Sequence, residues 1–146
     1  MYSETKLTVR YAETDQMGIA HHSNYAVWYE LARTDFVRKN GMSYSEMESS
    51  GLALPLIGLT CKFILPAHYE DELIVKTKMG KLTPVRMVFE YEVYKDGKLI
   101  NTGSTEHVVT NSNLKPINLK KENPKIYEFL VGVAEGNTNE KEDIWG

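Results

Sequence analysis

Residues 24–39 read Asn24-Tyr-Ala-Val-Trp28-Tyr-Glu-Leu-Ala32-Arg-Thr-Asp35-Phe-Val-Arg-Lys39, and the fold turns on how that stretch is read. Tyr25, Trp28, Tyr29, Ala32 and Phe36 recur at steps of three and four, so a helix gathers them on one face. Val27 and Leu31 widen that face, and Ala26 and Val37 add apolar surface near its polar side. The band is broader than a surface helix needs, which predicts a deeply enclosed helix. Ser23 or Asn24 stands where a side chain caps the free amides of the first turn. Asn40-Gly41 supplies the stop, glycine accepting the left-handed turn that ends helices.

On either side of this helix the period changes to two. Residues 5–13 (TKLTVRYAE) place Leu7, Val9 and Tyr11 on one face and read as a first strand. After a short amphipathic turn (SYSEMESSG, 43–51), Leu54–Leu65 is largely apolar and ends at Pro66. Leu73, Val75, Thr77 and Met79 alternate with Ile74, Lys76 and Lys78; Val85, Met87, Phe89, Tyr91 and Val93 oppose Arg86, Glu90 and Glu92. Thr83-Pro84 separates those two strands. Asp96-Gly97 tolerates positive φ at both positions and predicts a tight hairpin into Leu99–Thr110. Asn123-Pro124 then caps a last helix, with Ile126, Leu130 and Val133 at helical spacing.

The order is one strand, one long buried helix, four strands in hairpin succession and a terminal helix. An antiparallel sheet must cover its apolar face, and a long apolar helix must be surrounded. A sheet wrapped around a single helix satisfies both. The expected class is α+β, an antiparallel sheet on one central helix.

A chain of 146 residues buries roughly 70% of its unfolded surface as one domain. That domain is placed at 1–136, followed by a polar tail, 137–146, in which Trp145 is suited to docking. A net charge of −3 without a basic stripe points away from nucleic acid. The single cysteine, Cys61, has no internal partner, the N-terminus has no basic-then-apolar leader, and no stretch is long enough to span a membrane. The expected location is the cytoplasm.

Chemistry concentrates in Tyr11-Ala-Glu-Thr-Asp15-Gln-Met-Gly18-Ile-Ala-His21-His22, just ahead of the helix. A carboxylate in a glycine turn can act as nucleophile or general base. The helix start adds unpaired amides carrying about half a positive charge, suited to a developing oxyanion. Asp15 is equally what a plain turn requires, so the spacing alone leaves both roles open.

The pattern Tyr-x-x-Thr-Asp-x-x-Gly, followed by His-x-x-Tyr-x-x-Trp and a glutamate, resembles the signature of the 4-hydroxybenzoyl-CoA thioesterase-like hotdog family. It is most similar to the acyl-CoA thioesterases associated with the Tol–Pal envelope system. Pro66-Ala67-His68-Tyr69-Glu70-Asp71-Glu72-Leu73 resembles that family's Pro-Ala-x-x-x-Asp-x-Leu. The resemblance spans residues 5–120 and implies hydrolysis of an acyl-CoA thioester with neither metal nor organic cofactor. It makes Asp15 the catalytic carboxylate, assigns His22 an oxyanion-binding amide and a part in activity, and sets Tyr11 beside the carboxylate. It further implies a two-fold dimer with continuous sheets, and commonly a tetramer, in which the strand near Leu56-Ile57-Gly58 of a second subunit lines the site. Tyr25 becomes a candidate for shaping the acyl end, whereas Trp28 is expected in the core. An acyl-carrier-protein thioesterase and a non-catalytic acyl-CoA sensor are the alternatives.

Other residues have plainer readings. His21-His22 lacks metal-ligand spacing, and His21 is expected to bond locally. Glu30 is expected to pair with Arg33 at i+3 or to meet neighbouring polar groups. Asp35 falls beside the apolar face and calls for a hydroxyl or arginine partner. Cys61, in an apolar strand, reads as buried and structural. No Gly-x-Ser-x-Gly elbow or phosphate loop is present.

Overall fold

The computed structural model describes residues 2–145, with side chains described through residue 136. The chain runs β1 (Ser3–Thr8), α1 (Ser23–Lys39), α2 (Tyr44–Ser49), β2 (Leu52–Ala53), β3 (Leu56–Phe63), β4 (Glu72–Leu82), β5 (Arg86–Lys95), β6 (Lys98–Val108), β7 (Thr110–Asn111), α3 (Leu119–Glu122) and α4 (Pro124–Trp145). Five strands form one antiparallel sheet in the order β1-β4-β5-β6-β3, and β2 pairs with β7 separately. This is the hotdog architecture, mixed α+β. The expectations for the tail and for Trp145 lie outside the described side chains.

The core forms where α1 meets the sheet. Tyr25, Trp28, Tyr29, Ala32 and Phe36 are all buried, as their spacing requires. Tyr29 stacks on Tyr91 with ring centroids 4.4 Å apart, and Phe36 meets Phe89 edge-on at 6.0 Å. The alternating rows Leu73-Val75-Thr77-Met79 and Met87-Phe89-Tyr91-Val93 are buried. Asp96 and Gly97 take φ of +49° and +77°, the tight hairpin read from their identities. Gly41 ends α1 at φ +110°, and Asn123 caps α4 by accepting from the Ile126 amide. Among the described residues no helix is long and apolar enough to cross a membrane.

Several expectations change. The first strand stops at Thr8, because the Glu13 carboxylate accepts from the Arg10 amide and turns 11–13 into a 3-10 helix. Tyr11 therefore leaves the Leu7–Val9 face and is exposed. Neither Ser23 nor Asn24 caps α1: the Ser23 hydroxyl bonds His21 Nδ1, and Asn24 Nδ2 donates to the Glu13 and His21 carbonyls. The helix is not enclosed all round, since Val27 and Leu31 are about half exposed (54% and 50%).

Strands do not follow in hairpin succession either. Only β4, β5 and β6 do; β3 crosses over to pair with β6 at the sheet edge. Its run of apolar side chains consequently lies exposed rather than central. Arg33 turns inward instead of pairing with Glu30, donating to the hydroxyls of Tyr44 and Tyr91, each at 3.0 Å. Asp35 finds the partners its position called for: the Thr5 hydroxyl at 2.6 Å, with Arg38 and Lys39 each at 2.8 Å. Cys61 is half-buried, its sulfur accepting from Asn101 Nδ2 at 3.2 Å.

Candidate active site

Between β1 and α1 the chain folds into a small hairpin. His21 N donates to Glu13 O at 2.8 Å and Asp15 N to Ile19 O at 2.9 Å, while Gly18, at φ +81°, closes the tip by donating to Asp15 O. Asp15 Oδ1 accepts from the Met17 amide at 2.8 Å, so this oxygen does the work of a turn former. Oδ2 has no hydrogen-bond partner among the described residues. Oδ1 thus fills the turn role that the sequence left open, and Oδ2 is left unengaged.

The helix start lies alongside. The amides of His21, Ser23, Asn24 and Tyr25 are engaged, by Glu13 O, His21 Nδ1, His21 O and His22 O respectively. The His22 amide alone is without a partner among the described residues of this turn. No side chain caps the helix there, so that N–H sits at its positive end with a donor to spare. The exposed His22 ring lies against that of His21, centroids 4.0 Å apart.

Asp15, His22 and Tyr25 line one open cavity of about 370 Å³, with Phe63, Leu65 and Pro66 as its apolar wall. Tyr25 packs edge-on against Phe63 at 5.1 Å. Burial, with the neighbouring Cys61 thiol, pushes the Tyr25 hydroxyl up to about 12, so it stays protonated at neutral pH. The hairpin is fastened to the 66–71 crossover by Ala20 N donating to Ala67 O at 2.8 Å. Asp71 holds that crossover, accepting from the His68 amide at 2.7 Å and pairing with Lys95 at 2.9 Å. Ala67 and Leu73 are fully buried. These contacts give each fixed position of Pro-Ala-x-x-x-Asp-x-Leu a structural task.

Two of the sequence candidates stand apart. Tyr11 does not line the cavity; its ring is 75% exposed and meets Tyr69 edge-on at 5.6 Å. Gly58 lies five residues along β3 from Phe63, about 17 Å away. Among the described residues no group of three His, Cys, Asp or Glu is placed to hold a metal ion. Among the residues lining the cavity, Asp15 has an unengaged carboxylate oxygen, His22 a free amide at a helix start, and Phe63, Leu65 and Pro66 form an apolar wall, the elements for addition at an acyl carbonyl.

Residues 9–130 match the thioesterase-like superfamily. The chain belongs to that superfamily. By class it is therefore a thioester hydrolase, and its solved relatives share the hotdog fold. The candidate acyl-CoA thioesterase YneP of Bacillus subtilis is 36% identical over 124 residues, covering 84% of this chain and 90% of YneP. A solved DHNA-CoA thioesterase from Staphylococcus aureus superposes with a TM-score of 0.88 at 38% identity, covering 95% of this chain and 94% of that one. An acyl-acyl carrier protein thioesterase of Arabidopsis thaliana is 31% identical, covering 64% of this chain and half of its own length.

Reading the sequence missed two parts of this candidate site. Phe63, Ile64 and Leu65 form its wall; the signal was there, an apolar run stopping at Pro66. Glu13 is only 4% exposed despite its charge and lies two residues before Asp15. Its partner, the Trp28 indole, is 15 positions away, which no local pattern reveals.

Proposed function

We propose that this thioesterase hydrolyses acyl-CoA to the free acid and CoA, with Asp15 as the catalytic carboxylate. The observation that carries the reading is the pairing, in one cavity, of a free carboxylate oxygen on Asp15 with the unpartnered amide of His22. Asp15 either attacks the thioester carbonyl or takes a proton from an attacking water. In both routes the His22 amide stabilises the oxygen that becomes negative. Tyr25, protonated and beside the apolar wall, shapes the acyl end. Tyr11, four residues before Asp15 but outside the cavity, keeps no direct role in this reading.

The working form in this reading is a homodimer, and from it a tetramer. Among the described residues strand β3 pairs only with β6, and Leu56, Ile57, Leu59 and Phe63 are each about half exposed along it. Two such edges pairing antiparallel would seat Gly58 of the second copy opposite Phe63 and close the open cavity. A Cβ on Gly58 would meet only Glu106, at 3.5 Å, so nothing inside the chain demands glycine; close approach from outside accounts for it. Acyl-CoA as substrate places the protein in the cytoplasm. Membership in the envelope-associated branch would appear as a preference for short acyl chains.

The test is release of free thiol from short, long and aromatic acyl-CoAs by wild type and Asp15→Asn. Wild type turns over, and the variant stays folded but falls about 10²–10⁴-fold. A variant within a few-fold of wild type removes Asp15 from the mechanism. Wild type inert on every CoA ester transfers the reading to acyl-carrier-protein substrates and then to a sensor.

A further inference from the structure

The hairpin that carries Asp15 is anchored by a second buried carboxylate. Glu13 Oε1 accepts from the Arg10 amide at 2.8 Å, and Oε2 accepts from the Trp28 indole at 2.9 Å and contacts the Arg10 guanidinium at 3.5 Å. The Glu13 carbonyl accepts from His21 N and Asn24 Nδ2, each at 2.8 Å. One residue therefore grips the turn after the first strand, the base of the hairpin and two successive turns of α1. Trp28 is itself only 3% exposed and packs on Tyr25 at 4.6 Å, so the indole is a rigid post.

We infer that Glu13 is a positioning residue for the acyl-transfer site, acting through Trp28 to set the separation of the Asp15 carboxylate and the His22 amide. The inference rests on the reading that Asp15 and His22 carry the reaction. Those two groups sit on different elements, the hairpin tip and the helix start. Their separation is fixed where these elements join, at Glu13–His21. The backbone bonds at that joint set strand pairing, and the Ala20–Ala67 bond holds the outer side of the hairpin, but neither ties the hairpin to the second turn of α1. The Glu13–Trp28 bond supplies that tie. Burial raises the Glu13 pKa, but the Arg10 amide and the Trp28 indole outweigh it, so the carboxyl lies below its ordinary value and the acceptor is ionised at neutral pH. Displacement of a reacting group by about 1 Å costs up to roughly 10²-fold in rate.

The experiment compares wild type, Glu13→Gln, Trp28→Phe, the double variant and Asp15→Asn. It measures kcat and KM for an acyl-CoA that wild type hydrolyses, binding of a non-hydrolysable thioether analogue, and melting temperature. Glu13→Gln turns an amide N–H towards the indole donor or surrenders the Arg10 amide, and kcat falls about 10–100-fold. Trp28→Phe keeps the ring packing, severs the same bond and lowers kcat about 10-fold. In both, KM and analogue affinity stay within about two-fold, with rates read well below each melting point. The double variant is no worse than the poorer single one, because Trp28 acts on the hairpin only through the Glu13 side chain. Unchanged kcat beside an active wild type and an inactive Asp15→Asn overturns the inference, whatever the melting temperatures, as does KM rising in step with any loss. An active Asp15→Asn, or a wild type with no turnover, overturns the underlying reading first and this inference with it.

Discussion

The two edges of the sheet are built to opposite ends. At the β1 edge the residues alternate, with Ser3 and Thr5 buried and Glu4, Lys6 and Thr8 exposed. The C-terminal half of α1 reaches across it: Asp35 accepts from Thr5, and Lys39 donates to the Glu4 carbonyl at 2.7 Å. Charges and a lysine on the backbone are the devices that stop an edge from recruiting another strand. The β3 edge has none of this along its inner row. Leu56, Ile57, Leu59 and Phe63 are half exposed, and its Phe63 end is a wall of the candidate cavity. One edge is closed by its own chain, and the other, apart from Thr60 and Lys62, is left apolar beside the candidate cavity. In the proposed dimer a second copy would cover the cavity on the side where the sheet is open.

The comparison breaks most visibly if the open edge is charged. Leu59→Lys is expected to leave a folded monomer and to abolish thiol release, read by sedimentation and the activity assay together; a monomer with full activity would uncouple the edge from the site. The same charge placed by Thr8→Lys on the closed edge changes neither mass nor rate. A smaller effect comes from weakening the closed edge. Asp35→Asn removes the charged acceptor shared by Thr5, Arg38 and Lys39 and costs about 1–3 kcal/mol in denaturant unfolding, without changing oligomeric mass.

That cost depends on pH. Burial raises the Asp35 pKa, and bonds from Lys39, Thr5 and Arg38 more than offset it, so the folded value lies below the ordinary 3.8. The stabilisation is therefore complete above about pH 5 and disappears as pH falls through the folded pKa. Unfolding curves of wild type and Asp35→Asn should converge in acid; a gap that widens below pH 4 contradicts the ion-pair account. Lys39→Met sharpens the picture with the least effect. As a half-exposed cation it is worth roughly 0–1 kcal/mol, with activity unchanged.

How much of this was legible follows the range of the interactions. Helix α1 could be read because Tyr25, Trp28, Tyr29, Ala32 and Phe36 are neighbours in period as well as in space. Asp96-Gly97 could be read because two residues suffice to make its turn. The position of β3 could not. An apolar run looks the same whether it is buried mid-sheet or left open at an edge, and the crossover from β3 to β4 depends on bonds such as Ala20 to Ala67 that join distant segments. Arg33 was misassigned for a similar reason: an i+3 carboxylate is visible in the sequence, whereas hydroxyls on α2 and β5 are not.

The sequence by itself determined the α+β class, the central helix, the family through its motifs, and Asp15 and His22 as the residues to place together. Each of these rests on local periodicity or on residues a few positions apart. Only the tertiary structure decided that β3 is an open edge, that Tyr11 stands outside the cavity, and that Glu13 is clamped to Trp28. Those are outcomes of strand pairing and burial between segments far apart in the chain, where free energy depends on which surfaces meet and not on local pattern.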